Sequence, residues 1–183
     1  MTVTGQESPS RNILTISGLP GSGTTTAAKL LVEKTGFQYA NTGAIFRQMA
    51  AERNMSLNDF GKLAAQNDEI DRELDARQVD VARQGHVILE GRLAGHMISR
   101  AGLDALTIWL DAPLEVRVSR VSGRDALSLE LAAELSRERE RDERLRYIDF
   151  YDIDLADLSV YGLVLNSSRL SPQQIVEAVV DAL

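Results

Sequence analysis

The sequence predicts an α/β fold in which helices flank a five-stranded parallel sheet. Short apolar runs alternate with longer helical patterns, which is typical of parallel strands joined by crossover helices rather than of hairpins. A glycine-rich turn follows the first apolar run directly and opens the first helical pattern. The length of 183 residues and the 44% content of hydrophobic residues suit one domain with a substantial core.

The predicted strands span residues 12–17, 36–40, 86–90, 106–111 and 161–166. The predicted helices span residues 24–35, 43–53, 57–65, 69–83, 93–101, 113–122, 128–147 and 172–183. Two segments exceed the length of a simple crossover: a helical insert at about 43–85 and an arginine-rich lid at about 124–157. Both begin at carboxyl ends of strands, where open α/β sheets bind ligands, so we expect each to fold over a bound molecule. We expect residues 1–11 to form a flexible tail and residues 12–183 to form the single domain.

The composition excludes several classes of function. A formal net charge of −7 argues against nucleic acid or an anionic membrane as the main partner. The chain has no cysteine, which excludes disulfides, thiolate metal sites and a thiol nucleophile. Residues 1–10 are polar and unlike a signal peptide, and no apolar run approaches transmembrane length. We expect a cytoplasmic protein that acts as a monomer on small molecules.

The most informative motif is the glycine-rich loop that follows the first predicted strand. It consists of Gly18, Leu19, Pro20, Gly21, Ser22, Gly23, Thr24, Thr25 and Thr26. Glycines let backbone amides and a helix N-terminus converge on an anion, so the pattern indicates a phosphate-binding loop. It fits G-x-x-x-x-G-K-[ST] except that Thr24 replaces the lysine. The alternative is a tight strand-to-helix turn that binds nothing.

The predicted insert carries polar groups suited to a small anionic ligand. The apolar stripe of the helix at 69–83 consists of Ile70, Leu74 and Val81. Arg77 falls inside this stripe, where a guanidinium group needs an anion. Asp71 and Gln78 border the stripe and can offer hydrogen-bonding groups to a base. Arg47 follows the glycine corner at Gly43 and can hold an acceptor phosphate, although a surface arginine is the alternative.

The end of the third predicted strand carries a carboxylate and an arginine. Glu90 ends the strand beside the phosphate-binding loop, where a carboxylate can hold magnesium or its water ligands. Gly91 has no side chain, so a ligand can approach the backbone closely there. We expect Arg92 to point toward the same ligand as the phosphate-binding loop. The alternative is a strand that ends in ordinary polar loop residues.

The predicted lid helix is rich in arginine and glutamate. Arg139 and Arg146 are seven residues apart and share a face, with Glu143 beside them. A pair such as Glu140 with Arg144 indicates only structural stabilisation. The alternative for the whole helix is a solvated surface with many ion pairs.

Together these segments resemble a known family. Residues 18–26, 41–47, 69–78, 89–95, 108–124 and 139–147, in this order, resemble the archaeal-type cytidylate kinases, which belong to the nucleoside monophosphate kinase group of P-loop NTPases. The resemblance covers about residues 12–180, and threonine at position 24 is usual in that family.

The resemblance implies transfer of the γ-phosphoryl group of ATP, with Mg²⁺, to CMP and dCMP. It implies that the loop from Gly18 to Thr26 holds ATP and that Thr25 reaches Mg²⁺. It assigns Arg47, Arg77 and Arg92 to CMP, Arg124, Arg139 and Arg146 to the transferring phosphoryl group, and Arg120 to the adenine. Candidates for reading cytosine are Asp71, Gln78, Arg92 and Glu143.

Two other functions remain open from the sequence. A P-loop kinase for another nucleoside monophosphate or a shikimate-like acceptor shares the loop, but the long insert favours a nucleotide. A non-catalytic nucleotide switch is suggested by Thr24, but no Asn-Lys-x-Asp segment for guanine is present.

Overall fold

The computed structural model describes residues 11–64 and 66–183, so the predicted tail lies outside the described residues apart from Arg11. Five parallel strands form one sheet in the order β2-β3-β1-β4-β5. The strands are β1 (Ile13–Gly18), β2 (Gln38–Asn41), β3 (Val87–Glu90), β4 (Leu106–Asp111) and β5 (Leu163–Asn166). The helices are α1 (Thr24–Thr35), α2 (Thr42–Glu52), α3 (Leu57–Ala64), α4 (Asp68–Arg83), α5 (Ala94–Arg100), α6 (Leu114–Asp125), α7 (Leu129–Tyr151) and α8 (Pro172–Val180).

The central strand β1 organises the core. Every residue of β1 is buried, because β3 and β4 flank it and helices cover both faces. Leu14 and Ile16 pack with α1 and α8 on one face, in a cluster that includes Leu31 and Val179. On the other face Ile13 packs near α5. A strand buried on both faces reads as a continuous apolar run, which is why the sequence pattern identifies it.

The predicted α/β architecture is confirmed, and the differences lie at the ends of elements. Helix α7 continues four residues past the predicted end, to Tyr151, and stops where Asp152 adopts a left-handed conformation with φ 51°. Strand β5 begins at Leu163 because Tyr161 instead packs against His96 and Trp109. The predicted helix at 57–65 is α3, whose last described residue is Ala64.

Two groups of helices correspond to the predicted insert and to the predicted lid. Helices α2, α3 and α4 form the insert around a small apolar cluster that contains Met49, Phe60 and Ile70. The lid comprises the end of α6 and helix α7, which pack on each other through Val121 and Ala132. None of the helices in the described part of the chain has the length and apolar character needed to cross a bilayer.

The contact between Gly95 and Tyr161 predicts a large effect of one methyl group on stability. A Cβ atom at Gly95 would lie 2.5 Å from Cε1 of the buried Tyr161 ring. We expect Gly95→Ala to lower the free energy of unfolding by about 1–3 kcal/mol through overpacking. The matched control is Gly123→Ala on α6, where nothing lies within 4 Å. It should raise stability by about 0.5–1 kcal/mol, since alanine favours a helix. Thermal unfolding of both variants tests this, and equal shifts would contradict the packing argument.

Candidate functional site

A single large cleft opens at the carboxyl ends of the strands, between the insert and the lid. Its volume is about 1020 Å³. The predicted site residues that line it are Gly18, Leu19, Pro20, Gly21, Ser22, Gly23, Thr24, Thr25, Thr26, Arg47, Asp71, Gln78, Glu90, Arg92, Arg120, Arg124, Arg139 and Arg146. The structure therefore brings together every predicted site residue except Arg77.

The glycine-rich loop exposes the beginning of α1 to this cleft. Gly23 precedes the helix in a left-handed conformation with φ 95°, and among the described residues no side chain caps the helix. The first amides of an uncapped helix are unsatisfied donors and carry a positive partial charge. Outside the loop, Arg92 donates to the carbonyl oxygen of Gly18 at 2.8 Å and Arg120 to that of Gly21 at 3.1 Å. With its carbonyl oxygens bound from outside, the loop is suited to bind phosphate through its amides.

Glu90 connects the loop to the neighbouring strands. Its Oε1 accepts hydrogen bonds from the hydroxyl groups of Thr24 and Thr25, both at 2.7 Å. Its Oε2 accepts from Tyr39 and, at 2.9 Å, from Asn41. Burial alone would raise the pKa of Glu90, but these four donors outweigh it and hold the pKa below its ordinary value. The carboxylate is therefore charged at neutral pH.

The residues around Thr25 fit a magnesium site that a nucleotide completes. The Thr25 hydroxyl group donates its proton to Glu90, which leaves its oxygen lone pairs available to a cation. Among the described residues, no three histidine, aspartate or glutamate side chains gather into a metal site of protein groups alone. Magnesium typically takes only one or two protein ligands and completes its shell with phosphates and water. Thr25 and Glu90 could supply those protein groups.

The insert helix α4 presents a row of polar side chains to the cleft. Gln78 is buried; its side-chain oxygen accepts from Thr42 at 2.8 Å and its nitrogen donates to Asp75 at 3.2 Å. Burial raises the pKa of Asp75 from 3.8 to about 6, although a hydrogen bond from Tyr151 opposes the shift. This contact joins α4 to the last residue of the lid helix.

One turn earlier on α4, Asp71 and the lid residue Arg146 have unsatisfied polar atoms. Asp71 is 3% exposed, and neither its Oδ2 nor the Nε of Arg146 has a hydrogen-bond partner among the described residues. Burial raises the pKa of Asp71, and the nearby charge of Arg146 opposes the shift. Buried polar atoms are almost always paired in folded proteins. Both side chains line the cleft, where a ligand with a donor and an acceptor could pair with them.

The lid helix places a network of charges beside the loop. Glu143 accepts from Arg139 at 2.7 Å and from Arg92 at 3.1 Å, so it joins the lid to the end of β3. Arg139 and Arg146 both face the cleft, as their spacing predicts. Arg124 also lines the cleft and forms an ion pair with Asp125.

The predicted pair of Glu140 with Arg144 is wrong. Arg144 pairs with Asp154 at 2.9 Å, and Glu140 pairs with Arg117 of α6. The reason is that Glu140 faces α6, where a buried guanidinium group has a greater need of a carboxylate than an exposed side chain does.

Comparison with known proteins identifies the family. A profile of the cytidylate kinase-like family matches residues 13–169. A cytidylate kinase from Pyrococcus horikoshii is 48% identical over 174 residues, covering 93% of this chain and 89% of that protein. A cytidylate kinase from Methanocaldococcus jannaschii is 47% identical over 172 residues, covering 93% of this chain and 97% of that protein. The chain belongs to the cytidylate kinase-like family.

Solved structures agree with this family at the level of the fold. A shikimate kinase from Bacteroides thetaiotaomicron has a TM-score of 0.61 at 12% identity, and the match covers 93% of this chain and 96% of that one. An uncharacterized protein from Eubacterium ventriosum has a TM-score of 0.70 at 14% identity with the same coverage. These likenesses confirm the P-loop kinase fold of this cytidylate kinase-like protein.

Arg77 is the predicted site residue that does not line the cleft. Its guanidinium group is partly exposed and pairs with Glu52 of α2 and with Glu73 one turn earlier on α4. The apolar stripe around it is divided, because Leu74 packs within the insert whereas Val81 packs near β3. Arg77 lies at the gap between these clusters, where its long side chain reaches surface carboxylates.

Sequence reasoning missed two residues that line this cytidylate kinase-like site, Asp75 and Tyr151, and one buried residue outside the cleft, Arg117. The sequence does point to Asp75, because it follows Asp71 by one helical turn and therefore lies on the same face of the helix. Tyr151 lies beyond the predicted end of the lid helix, and from the sequence a tyrosine there is better explained by packing under the lid than by stacking on a base. Arg117 looks like any arginine of an amphipathic helix, yet it is 5% exposed in the structure.

The raised pKa of Asp75 predicts a pH-dependent gain in stability for Asp75→Asn. Above pH 6 the folded protein carries a buried charge that the unfolded chain carries in water. Stability from this carboxyl group is thus present below about pH 4 and is lost as the pH rises through about 6. We expect the variant to gain about 2 kcal/mol over wild type at pH 7.5, and much less at pH 4.

Melting temperatures measured from pH 4 to 8 test this expectation. The matched control is Asp80→Asn on the same helix, because Asp80 forms an exposed pair with Arg83. An exposed pair contributes little, so this variant should differ from wild type by under about 1 kcal/mol at every pH. A gain for Asp75→Asn that does not change with pH would contradict the burial argument.

Proposed function

We propose that this protein transfers the γ-phosphoryl group of ATP to CMP and dCMP, giving ADP with CDP or dCDP. The observation that carries the proposal is one cleft that is lined by an uncapped phosphate-binding loop and by Asp71 and Arg146, each of which has one polar atom without a partner among the described residues. The loop suits a nucleotide triphosphate, and the pair suits a base with both donors and acceptors. Close relatives that carry the name cytidylate kinase support this choice of acceptor.

The donor nucleotide binds on the side of the loop. Amides of the loop and of the first turn of α1 hold the phosphates of ATP. The Thr25 hydroxyl group and Glu90 would hold Mg²⁺, directly or through water, and the metal would supply neutralisation of the phosphate charge. Arg120, which donates to Ser167 at 2.9 Å and to Gly21, lies where it can cover the adenine.

The acceptor binds between the insert and the lid. Arg47 and Arg92, which both line the cleft, hold the phosphate of CMP. Cytosine presents an amino donor beside ring and carbonyl acceptors. Asp71 accepts from the amino group, and Arg146 donates to the acceptors, which satisfies the two buried atoms. Gln78 holds Asp75 in place beside them. Arg77 is not part of this proposal.

The transfer step needs positioning and charge neutralisation more than a general base. An oxygen of the CMP phosphate forms a bond to the γ-phosphorus of ATP as the bond to the bridging oxygen breaks, and ADP leaves. The arginines that line the cleft stabilise the negative charge on the transferring group. Those with access to it are Arg92, Arg124, Arg139 and Arg146. The cytoplasmic location and the monomeric state stay predictions.

If Asp71 and Arg146 bind cytosine as proposed, the enzyme should strongly prefer CMP to purine nucleoside monophosphates as the acceptor. A purine is larger than cytosine by one ring and would leave Asp71 and Arg146 with unpaired polar atoms. We expect kcat/KM for CMP to exceed those for AMP and GMP by at least about a hundredfold. Steady-state kinetics with ATP, Mg²⁺ and each of AMP, GMP, UMP, CMP and dCMP test this. Equal efficiency with AMP would remove cytosine as the specific base and leave the kinase activity in place.

The lid arginines predict a loss of turnover without a loss of stability. If Arg139 contacts the transferring group, Arg139→Ala should lower kcat by about a hundredfold to a thousandfold. Arg146→Ala should lower kcat and raise the KM for CMP, because this side chain also faces Asp71. The matched control is Arg144→Ala, which breaks only an exposed pair with Asp154 and should change kcat by less than about twofold. Small and equal effects at all three positions would mean that the helix is a solvated surface.

A further inference from the structure

The carbonyl oxygens of the phosphate-binding loop are bound by side chains from outside the loop. Besides Arg92 at Gly18 and Arg120 at Gly21, the Ser167 hydroxyl group donates to the carbonyl oxygen of Ser22 at 2.6 Å. The guanidinium group of Arg117 also donates to the carbonyl oxygen of Pro20, at 3.4 Å. Four neighbouring carbonyl oxygens are thus fixed from outside, which leaves the amides directed toward the cleft.

Arg117 differs from the other donors because it lies outside the cleft and is buried. Its side chain is 6% exposed. Its Nε donates to the carbonyl oxygen of Ala112 at 2.9 Å, at the end of β4. Its backbone also supports the loop, since a Cβ atom at Gly21 would lie 2.5 Å from the carbonyl oxygen of Arg117. A positively charged group in such a place needs an anion.

That anion is Glu140 of the lid helix. The carboxylate of Glu140 accepts from both terminal nitrogens of Arg117, the second at 3.4 Å. Glu140 directly follows Arg139 and precedes Glu143 by three residues on the same helix. Through this pair, Arg117 connects the phosphate-binding loop to the part of α7 that carries the arginines of the cleft.

We propose that Arg117 is a positioning residue that, through Glu140, fixes the phosphate-binding loop and the arginine face of the lid helix as one unit. The usual loop lysine is absent, because Thr24 stands in its place and donates to Glu90 instead. Positive charge at the phosphates then comes from arginines that line the cleft, and the contribution of Arg139 depends on its distance from the loop. The proposal rests on the kinase activity proposed above.

The direct test is Arg117→Lys, which keeps the charge but cannot bond to the loop, to β4 and to Glu140 at once. We expect ATP binding to weaken about tenfold and kcat with CMP to fall about tenfold. ATP affinity is measured without turnover from the fluorescence of Trp109, the single tryptophan, which shares an apolar cluster with Leu19 of the loop and Tyr147 of the lid helix. Arg144→Lys on the same helix is the matched control and should change neither quantity by more than twofold.

A double-mutant cycle with Arg139→Ala separates positioning from general stabilisation. If Arg117 acts on kcat by placing Arg139, then Arg117→Lys should lower kcat less than twofold when Arg139 is already alanine. Losses in kcat that multiply, or an unchanged ATP affinity in Arg117→Lys, would overturn the proposal. A third variant, Glu140→Gln, keeps an acceptor oxygen for Arg117 and should lower kcat about threefold with the same dependence on Arg139.

The two proposals fail in distinguishable ways. A wild-type protein that binds ATP but phosphorylates no monophosphate would refute the proposed function. The fluorescence titration would still decide whether Arg117 positions the loop, because it requires ATP alone.

Discussion

The site depends on one buried carboxylate, that of Glu90. Strand β3 lies between β2 and β1 in the sheet, so a side chain at its carboxyl end reaches both neighbours. Glu90 uses this position to bind Thr24 and Thr25 on one side and Tyr39 and Asn41 on the other. Four donors stabilise its charge, and removing the carboxylate would leave the hydroxyl group of the buried Thr24 without its acceptor. The phosphate-binding loop and the start of the insert are thus fixed to one group.

The chain is acidic, yet the cleft is lined with arginines. The formal net charge of −7 belongs to the whole surface, whereas Arg92, Arg120 and Arg139 converge near the loop. Carbonyl oxygens and Glu143 hold these guanidinium groups in place, so mutual repulsion does not displace them. Fixed cations of this kind stabilise charge during a reaction without the cost of reorienting water. The partners of the arginines therefore determine where positive charge lies in the cleft.

Charged and polar groups of the insert and the lid lie close enough to affect each other. Arg146 opposes the rise in the pKa of Asp71, and Tyr151 opposes the rise in the pKa of Asp75, and all four side chains line the cleft. Both carboxyl groups have raised pKa values because burial disfavours their charge. Such groups destabilise the folded protein unless a ligand pairs with them. Their retention on α4 is consistent with a role in binding.

The sequence alone determined the order of strands and helices, the phosphate-binding loop and the positions of Glu90 and Arg92. These features follow from local periodicity and from glycine spacing, which a chain carries without reference to its fold. The partners of charged side chains were decided only by the tertiary structure. Arg77 and Arg117 lie on similar helical patterns, yet one pairs at the surface and the other is buried beneath the loop. Several carboxylates lie within reach of each arginine along a helix, and only the packing of α6 against α7 and of α2 against α4 selects among them.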